Sequence, residues 1–142
     1  MILSKLRRGT FKHIEAELYD YHETIKRIKE RKEEILFSSS SVDDNKGGAN
    51  SARVPNSPTE RIATMLVMDK RLRELERITE AIETVYQSLD VERKKLIRLK
   101  YWTKPQTLTW EGIALKLNVS RATVFRWREE VVNAIAEKLG WY

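Results

Sequence analysis

From Phe11 onward, apolar or aromatic side chains recur at Ile14, Leu18, Tyr21, Ile25, Ile28 and Ile35, in alternating steps of three and four, with Lys32 filling the one polar position. This heptad rhythm predicts a helix over residues 10–37 whose narrow apolar seam suits a coiled-coil partner. A second pattern runs through Ile62, Met65, Leu66, Leu72, Leu75, Ile78, Ile82, Val85 and Leu89. It opens on Ser57-Pro58-Thr59-Glu60, a capping box with proline at the first helical position. At ~1.5 Å per residue the two helices would be about 42 and 48 Å long. Residues 38–57, rich in Ser, Asp, Asn and Gly, hold too little apolar surface to fold alone and are expected to form a mobile loop. So long a loop allows the seam to close within one chain or between two, and the pattern does not choose.

The grammar changes after Leu89. A turn at Ser88–Asp90 leads into Val91–Trp102, where Leu96, Ile97, Leu99 and Tyr101 offer an apolar face, and Pro105 ends the element. Thr109 then caps a helix with Glu111 in its first turn, and Leu108 and Ile113 can form a hydrophobic staple across the cap. Ser120 repeats the device with Val119 and Val124, and Asn118 before it tolerates the left-handed backbone of a tight turn. Ile113, Leu117, Val119, Val124 and Trp127 would share a small core, with Ala114 at the closest approach of the two helices. The last helix continues through Val131, Val132, Ile135 and Leu139, its far half packing on Leu96 and Leu99, to stop at Gly140. The expected fold class is all-α: residues 1–89 form a two-helix stalk for self-association or partner docking, and residues 90–142 a three-helix head carrying a helix-turn-helix.

Charge sharpens this picture. The chain carries +6 overall, yet residues 93–128 hold ten Lys or Arg against Glu111 alone, so this window is +9 and the rest of the chain −3. Positive potential concentrated on a helix-turn-helix is suited to nucleic-acid phosphates, although a charge run alone is equally a means of staying soluble. Arg121, Ala122, Phe125, Arg126 and Glu129 face outward on the second motif helix, where a recognition helix presents side chains to base edges. Arg121 and Arg126 suit the paired acceptors of guanine, or a phosphate, and Ala122 and Phe125 suit thymine methyls. Phe125 is equally placed to pack under Trp102 or Trp110. Lys104, Thr109, Lys116, Ser120 and Arg128 are the candidate phosphate contacts, the two hydroxyls acting together with the amides at their helix starts.

Other chemistry finds no foothold. Without cysteine there are no disulfides, thiolate metal sites or thiol nucleophiles. His13 and His22 are nine residues apart, on opposite faces of one helix, and cannot share a metal as neighbours one turn apart could. The carboxylates alternate with cations, as in Lys29-Glu30-Arg31-Lys32-Glu33-Glu34, which marks a solvated face. Gly47-Gly48 lies in the polar linker rather than in a phosphate-binding loop. An enzyme is not expected, nor a cofactor or a metal. No apolar run approaches the roughly 20 residues of a membrane span, and the opening residues lack a signal-peptide core, so the expected setting is the cytoplasm with no membrane partner.

The segments Leu96–Trp102, Leu108–Ala114 and Val119–Trp127 together resemble the promoter-reading region 4 of sigma factors. With the long N-terminal helix containing Glu17-Leu18-Tyr19-Asp20-Tyr21-His22, the polar loop and the second long helix, the whole chain resembles phage transcriptional regulators of the RinA and ArpU type. The resemblance implies an activator of phage late or packaging genes that binds double-stranded DNA in the bacterial host cytoplasm. It also implies contact with RNA polymerase, and the long helices imply a homo-oligomer. Two positions depart from the sigma pattern: Gly112 stands where an acidic residue is usual, and Asn118 where glycine is usual. An alternative in the same setting is a packaging adaptor similar to a small terminase subunit, which would assemble as a ring. A helical scaffold whose basic head meets an acidic protein would instead show no preference among DNA sequences.

Overall fold

In a computed structural model, which describes residues 5–45 and 57–142, the protein is all-α. Seven helices follow in order among the described residues: α1 (Arg8–Tyr19), α2 (Tyr21–Asn45), α3 (Pro58–Met68), α4 (Lys70–Ser88), α5 (Val91–Lys100), α6 (Trp110–Leu117) and α7 (Arg121–Leu139). Neither of the two long helices expected from the periodicity is continuous. The first is interrupted at Asp20, whose N–H bonds back to Ala16 and Leu18 carbonyls. The second is interrupted at Asp69, whose extended backbone (φ −71°, ψ 111°) ends α3. Its carboxylate then accepts from the Leu72 N–H at 2.8 Å, which caps the start of α4. A hydrophobic repeat does not register such a break, because the side chain that makes it is polar. The expected loop over 38–57 also begins too early, since α2 runs on through Asn45, and residues 46–56 of it lie outside the described residues.

The other start and stop signals act as their chemistry predicts. Ser57 accepts from the Glu60 N–H at 3.1 Å with Pro58 in the first turn, and Asp90 accepts from the Arg93 N–H at 2.9 Å. Thr109 and Ser120 accept from the N–H groups of Gly112 and Thr123, each at 3.1 Å. Asn118 is left-handed (φ 56°), as is Gly140 (φ 71°), and the Trp141 N–H closes the last turn onto the Ala136 carbonyl.

The chain divides into two compact units. One joins the chain up to His22 with Ile78–Tyr142. Its core collects Ile113, Leu117, Val124, Trp127, Val131, Val132, Ile135 and Leu139 with Leu96, Ile97 and Tyr101. Ile14 and Leu18 of α1 and Ile82 and Val85 of α4 belong to the same core, at 0%, 1%, 1% and 3% exposure. The front of the expected coiled-coil seam is therefore spent on a core shared by several helices, with Ile82 and Val85 of the second expected helix among its members. Trp102 seals the aromatic side of the unit, with its indole N–H donating to the Leu18 carbonyl at 3.0 Å and its ring against Tyr21, His22 and Tyr86.

The other unit, Glu23–Arg77, is held by a few burials and ion pairs. Ile35 and Leu72 are its buried apolar residues. Arg31 grips Asp69 in a forked pair (3.3 and 2.6 Å), and Lys32 lies 3.6 Å from Glu76. The one polar seam residue thus has its counter-charge within the same chain. These bonds hold Asp69 below its usual carboxylate range, Arg31 contributing most and the Leu72 N–H next.

Candidate nucleic-acid interface

Helices α6 and α7 are joined by the three residues Asn118-Val119-Ser120, and the left-handed Asn118 lets the chain reverse within them. Val124 and Trp127 point inward from α7 and are buried, which turns Arg121, Ala122 and Arg126 outward, all three exposed. Phe125 lies between the two faces. Its ring is half-buried, 5.9 Å from Trp110, with the Arg121 guanidinium 5.2 Å away on it. Of the two readings open for Phe125, packing beside Trp110 is the one seen, and one edge is left at the surface.

Arg121 also meets Glu111, from the first turn of α6, at 3.2 Å. Both side chains are more than half exposed (65% and 56%), so the pair is a weak one that another acceptor can replace. Arg126 makes no ion pair among the described residues. Lys104, in the segment between α5 and α6, and Lys116, in the last turn of α6, are likewise exposed and unpaired. Thr109 and Ser120 stand at the exposed starts of α6 and α7, their oxygens occupied as caps.

Arg128 is a different case. Expected among the phosphate contacts, it is turned into the unit, where Nε and Nη2 hold both oxygens of Glu15 at 2.8 and 2.6 Å. The buried Tyr101 hydroxyl donates to the same carboxylate at 2.7 Å, and Phe11, Trp110 and Phe125 surround the guanidinium. Arg128, a quarter exposed, thus joins α1 to α7 through the same guanidinium that was expected to meet a phosphate. Its bonds to Glu15 keep the guanidinium above even its ordinary range, while burial, and then the Glu15 charge, push the Tyr101 phenol well above its own.

The same sorting applies to the rest of the +9 window. Arg93 is bound to Glu130 (2.8 Å) and Asp90 (2.7 Å) and covers Trp127. Lys100 donates to the Leu108 carbonyl at 3.1 Å, Arg98 to the Tyr86 hydroxyl at 2.6 Å, and Lys95 lies 3.9 Å from Glu92. Acids from outside the window or at its edge thus neutralise part of the charge that the sequence count assigns to the surface. Lys104, Lys116, Arg121 and Arg126 are exposed on or next to α6 and α7, and Lys95 and Arg98 are exposed on α5.

The sequence reading missed a further set. A groove of about 830 Å³ runs between α1 and α7, lined by Lys5, Leu6, Arg8, Phe11, Lys12 and Glu15 on one side and Phe125, Arg128, Glu129 and Asn133 on the other. Lys5, Arg8 and Lys12 are all exposed. The signal was present as the run Lys5-Leu6-Arg7-Arg8, but only the burial of Ile14 and Leu18 brings it beside α7.

Residues 11–137 match a family described as a protein of unknown function (DUF722). The chain is 26% identical over 137 residues to the transcriptional activator rinA of Staphylococcus phage phi11, covering 95% of this chain and 94% of that one. No solved structure matches. No helix among the described residues is long and apolar enough to cross a membrane.

Proposed function

Because the chain belongs to the DUF722 family and aligns almost end to end with a phage transcriptional activator, we propose that it is a sequence-specific, double-stranded DNA-binding regulator of phage transcription. The observation that carries this reading is the division of α7 into a buried face and a solvated one, directly after a two-capped turn. Val124 and Trp127 anchor the helix, while Arg121, Ala122 and Arg126 remain available at its N-terminal end. This is a helix-turn-helix, with α7 as recognition helix.

In the proposed complex the first two turns of α7 enter the major groove. Arg121 and Arg126 each present paired donors to O6 and N7 of a guanine, and Ala122 and the free edge of Phe125 meet thymine methyls. Lys104 and Lys116, with the hydroxyls and amides of Thr109 and Ser120, hold phosphates and set the register. The protein would act in the host cytoplasm as an activator of late or packaging genes, working with RNA polymerase and without a catalytic step or a cofactor. Exposed apolar side chains on Glu23–Arg77, with Leu36, Met65, Val67 and Met68 among them, favour self-association through that unit. A dimer would read two related half-sites.

Selection of bound fragments from random DNA tests the proposal. The wild-type chain should enrich one motif, and Arg121→Ala and Arg126→Ala should each relax it at one base position. Recovery of no motif in dilute salt would overturn the reading. A ring-sized mass in solution would move the assignment to a packaging adaptor.

A further inference from the structure

Taking α7 as the reading helix, we infer that the groove between α1 and α7 is a second DNA-contact surface, in which Arg8 and Lys12, with Lys5, grip the sugar-phosphate strand that borders the major groove. The groove begins where the reading face ends. Phe125 lines it and also lies between Arg121 and Arg126 along α7, half-buried at the margin of the solvated face. Along an α-helix the eight steps from Arg121 to Glu129 span about 12 Å, which is about the width of the major groove. A helix reading bases with its first turn therefore reaches the next phosphate strand near Glu129, opposite α1.

The charge balance of the groove agrees. Of its two acids, Glu15 is fully occupied by Arg128 and Tyr101, leaving Glu129 as the one solvated carboxylate. Against it stand Lys5, Arg8 and Lys12, exposed and without an ion-pair partner among the described residues. Phe11 and Phe125 line the same groove and offer apolar surface to deoxyribose. An acidic peptide would also suit cations beside apolar side chains, but the shared residue Phe125 makes the groove continuous with the reading face, which favours the duplex.

The test is the salt dependence of binding by the full chain, with Arg8→Gln/Lys12→Gln compared with wild type on a selected duplex and on an unrelated one. For every phosphate that is no longer neutralised, the slope of log K against log salt should fall by about 0.9. Between 50 and 200 mM salt the wild-type affinity should then drop about tenfold further than that of the double variant, on both duplexes. The ranking of sequences should not change, and Arg8→Lys/Lys12→Arg should restore the slope. Both side chains are exposed, so the thermal melt should stay at its wild-type midpoint. An unchanged slope in the double variant would overturn the inference, and if activation by purified polymerase were then abolished, the groove would belong to an acidic protein partner. Were the wild type to show no preference among sequences, the reading role of α7 would fail, while the slope comparison on either duplex would still decide for or against the groove.

Discussion

At the residue scale, the most consequential side chain is Glu15. It is nearly buried, and its two oxygens accept from Nε and Nη2 of Arg128 and from the hydroxyl of Tyr101. Neither donor loses its proton in the ordinary pH range, because the carboxylate raises the one and burial raises the other. Replacing the carboxylate therefore cannot be compensated by titration. Glu15→Gln should cost about 2 to 3 kcal/mol, since it leaves a charged donor poorly matched away from water; urea unfolding of the full chain would measure this, and a loss below about 0.5 kcal/mol would contradict it. Glu111 is the opposite case. Its pair with Arg121 is solvated, so Glu111→Gln should leave stability almost unchanged while freeing the guanidinium and removing an anion beside the proposed phosphate contacts. Releasing a pair worth ~0.2 to 1 kcal/mol should tighten DNA binding by up to about fivefold at low salt. Weaker binding by this variant in a fluorescence titration would mean that Glu111 positions Arg121 for the bases.

At the scale of elements, helix α6 carries a correctable weakness. A methyl group at Gly112 would meet the Leu108 Cδ2 at 3.4 Å and the Thr109 Oγ1 at 3.5 Å, which is ordinary contact. Gly112→Ala should therefore recover ~0.5 to 1 kcal/mol of helix propensity and raise the thermal midpoint; a lowered midpoint would show that the staple of Leu108 tolerates no added volume. The junction of α3 and α4 depends on pH. Asp69 is held below its usual range by Arg31 and the Leu72 N–H, so its contribution is complete above about pH 4 and is lost as the pH falls through its lower native value. Melts of the full chain between pH 2 and 5 should show this acid-side loss shrinking in Asp69→Asn, and an identical profile would remove Asp69 from the account. The helix ends at Thr109, Ser120 and Gly140 were legible, because these residues act through bonds to their own neighbours. The interruptions at Asp20 and Asp69 were not legible. Both fall inside an otherwise unbroken apolar rhythm, and the one at Asp69 also involves an arginine 38 positions away. The exposed candidates Arg121, Ala122 and Arg126 followed from local spacing alone, whereas the fate of Arg128 rests on a carboxylate 113 residues earlier.

At the scale of the molecule, the unit that contains α6 and α7 is not the last third of the chain by itself. A fragment of residues 90–142 would retain the capped turn and every candidate base reader, yet it would lack Ile14, Leu18, Ile82 and Val85. Each of these is almost completely buried against the helices that the fragment keeps. At ~2 kcal/mol for each buried aliphatic side chain, their removal forfeits about 8 kcal/mol, which equals the whole stability of many domains. Loss of Glu15 would strand Arg128 and Tyr101 as well. The fragment is therefore expected to show helical circular dichroism without a cooperative melt, and to bind DNA weakly and without preference. In the full chain, Ile14→Ala should cost about 2 to 5 kcal/mol even though residue 14 lies outside the proposed motif. A cooperative melt for residues 90–142, with the same selected DNA motif as the full chain, would show that α1 and α4 are ornaments on an independent head. The opposite result would make the N-terminal helix part of the same folding unit as α6 and α7, which agrees with the shared burial of Ile14 and Leu18.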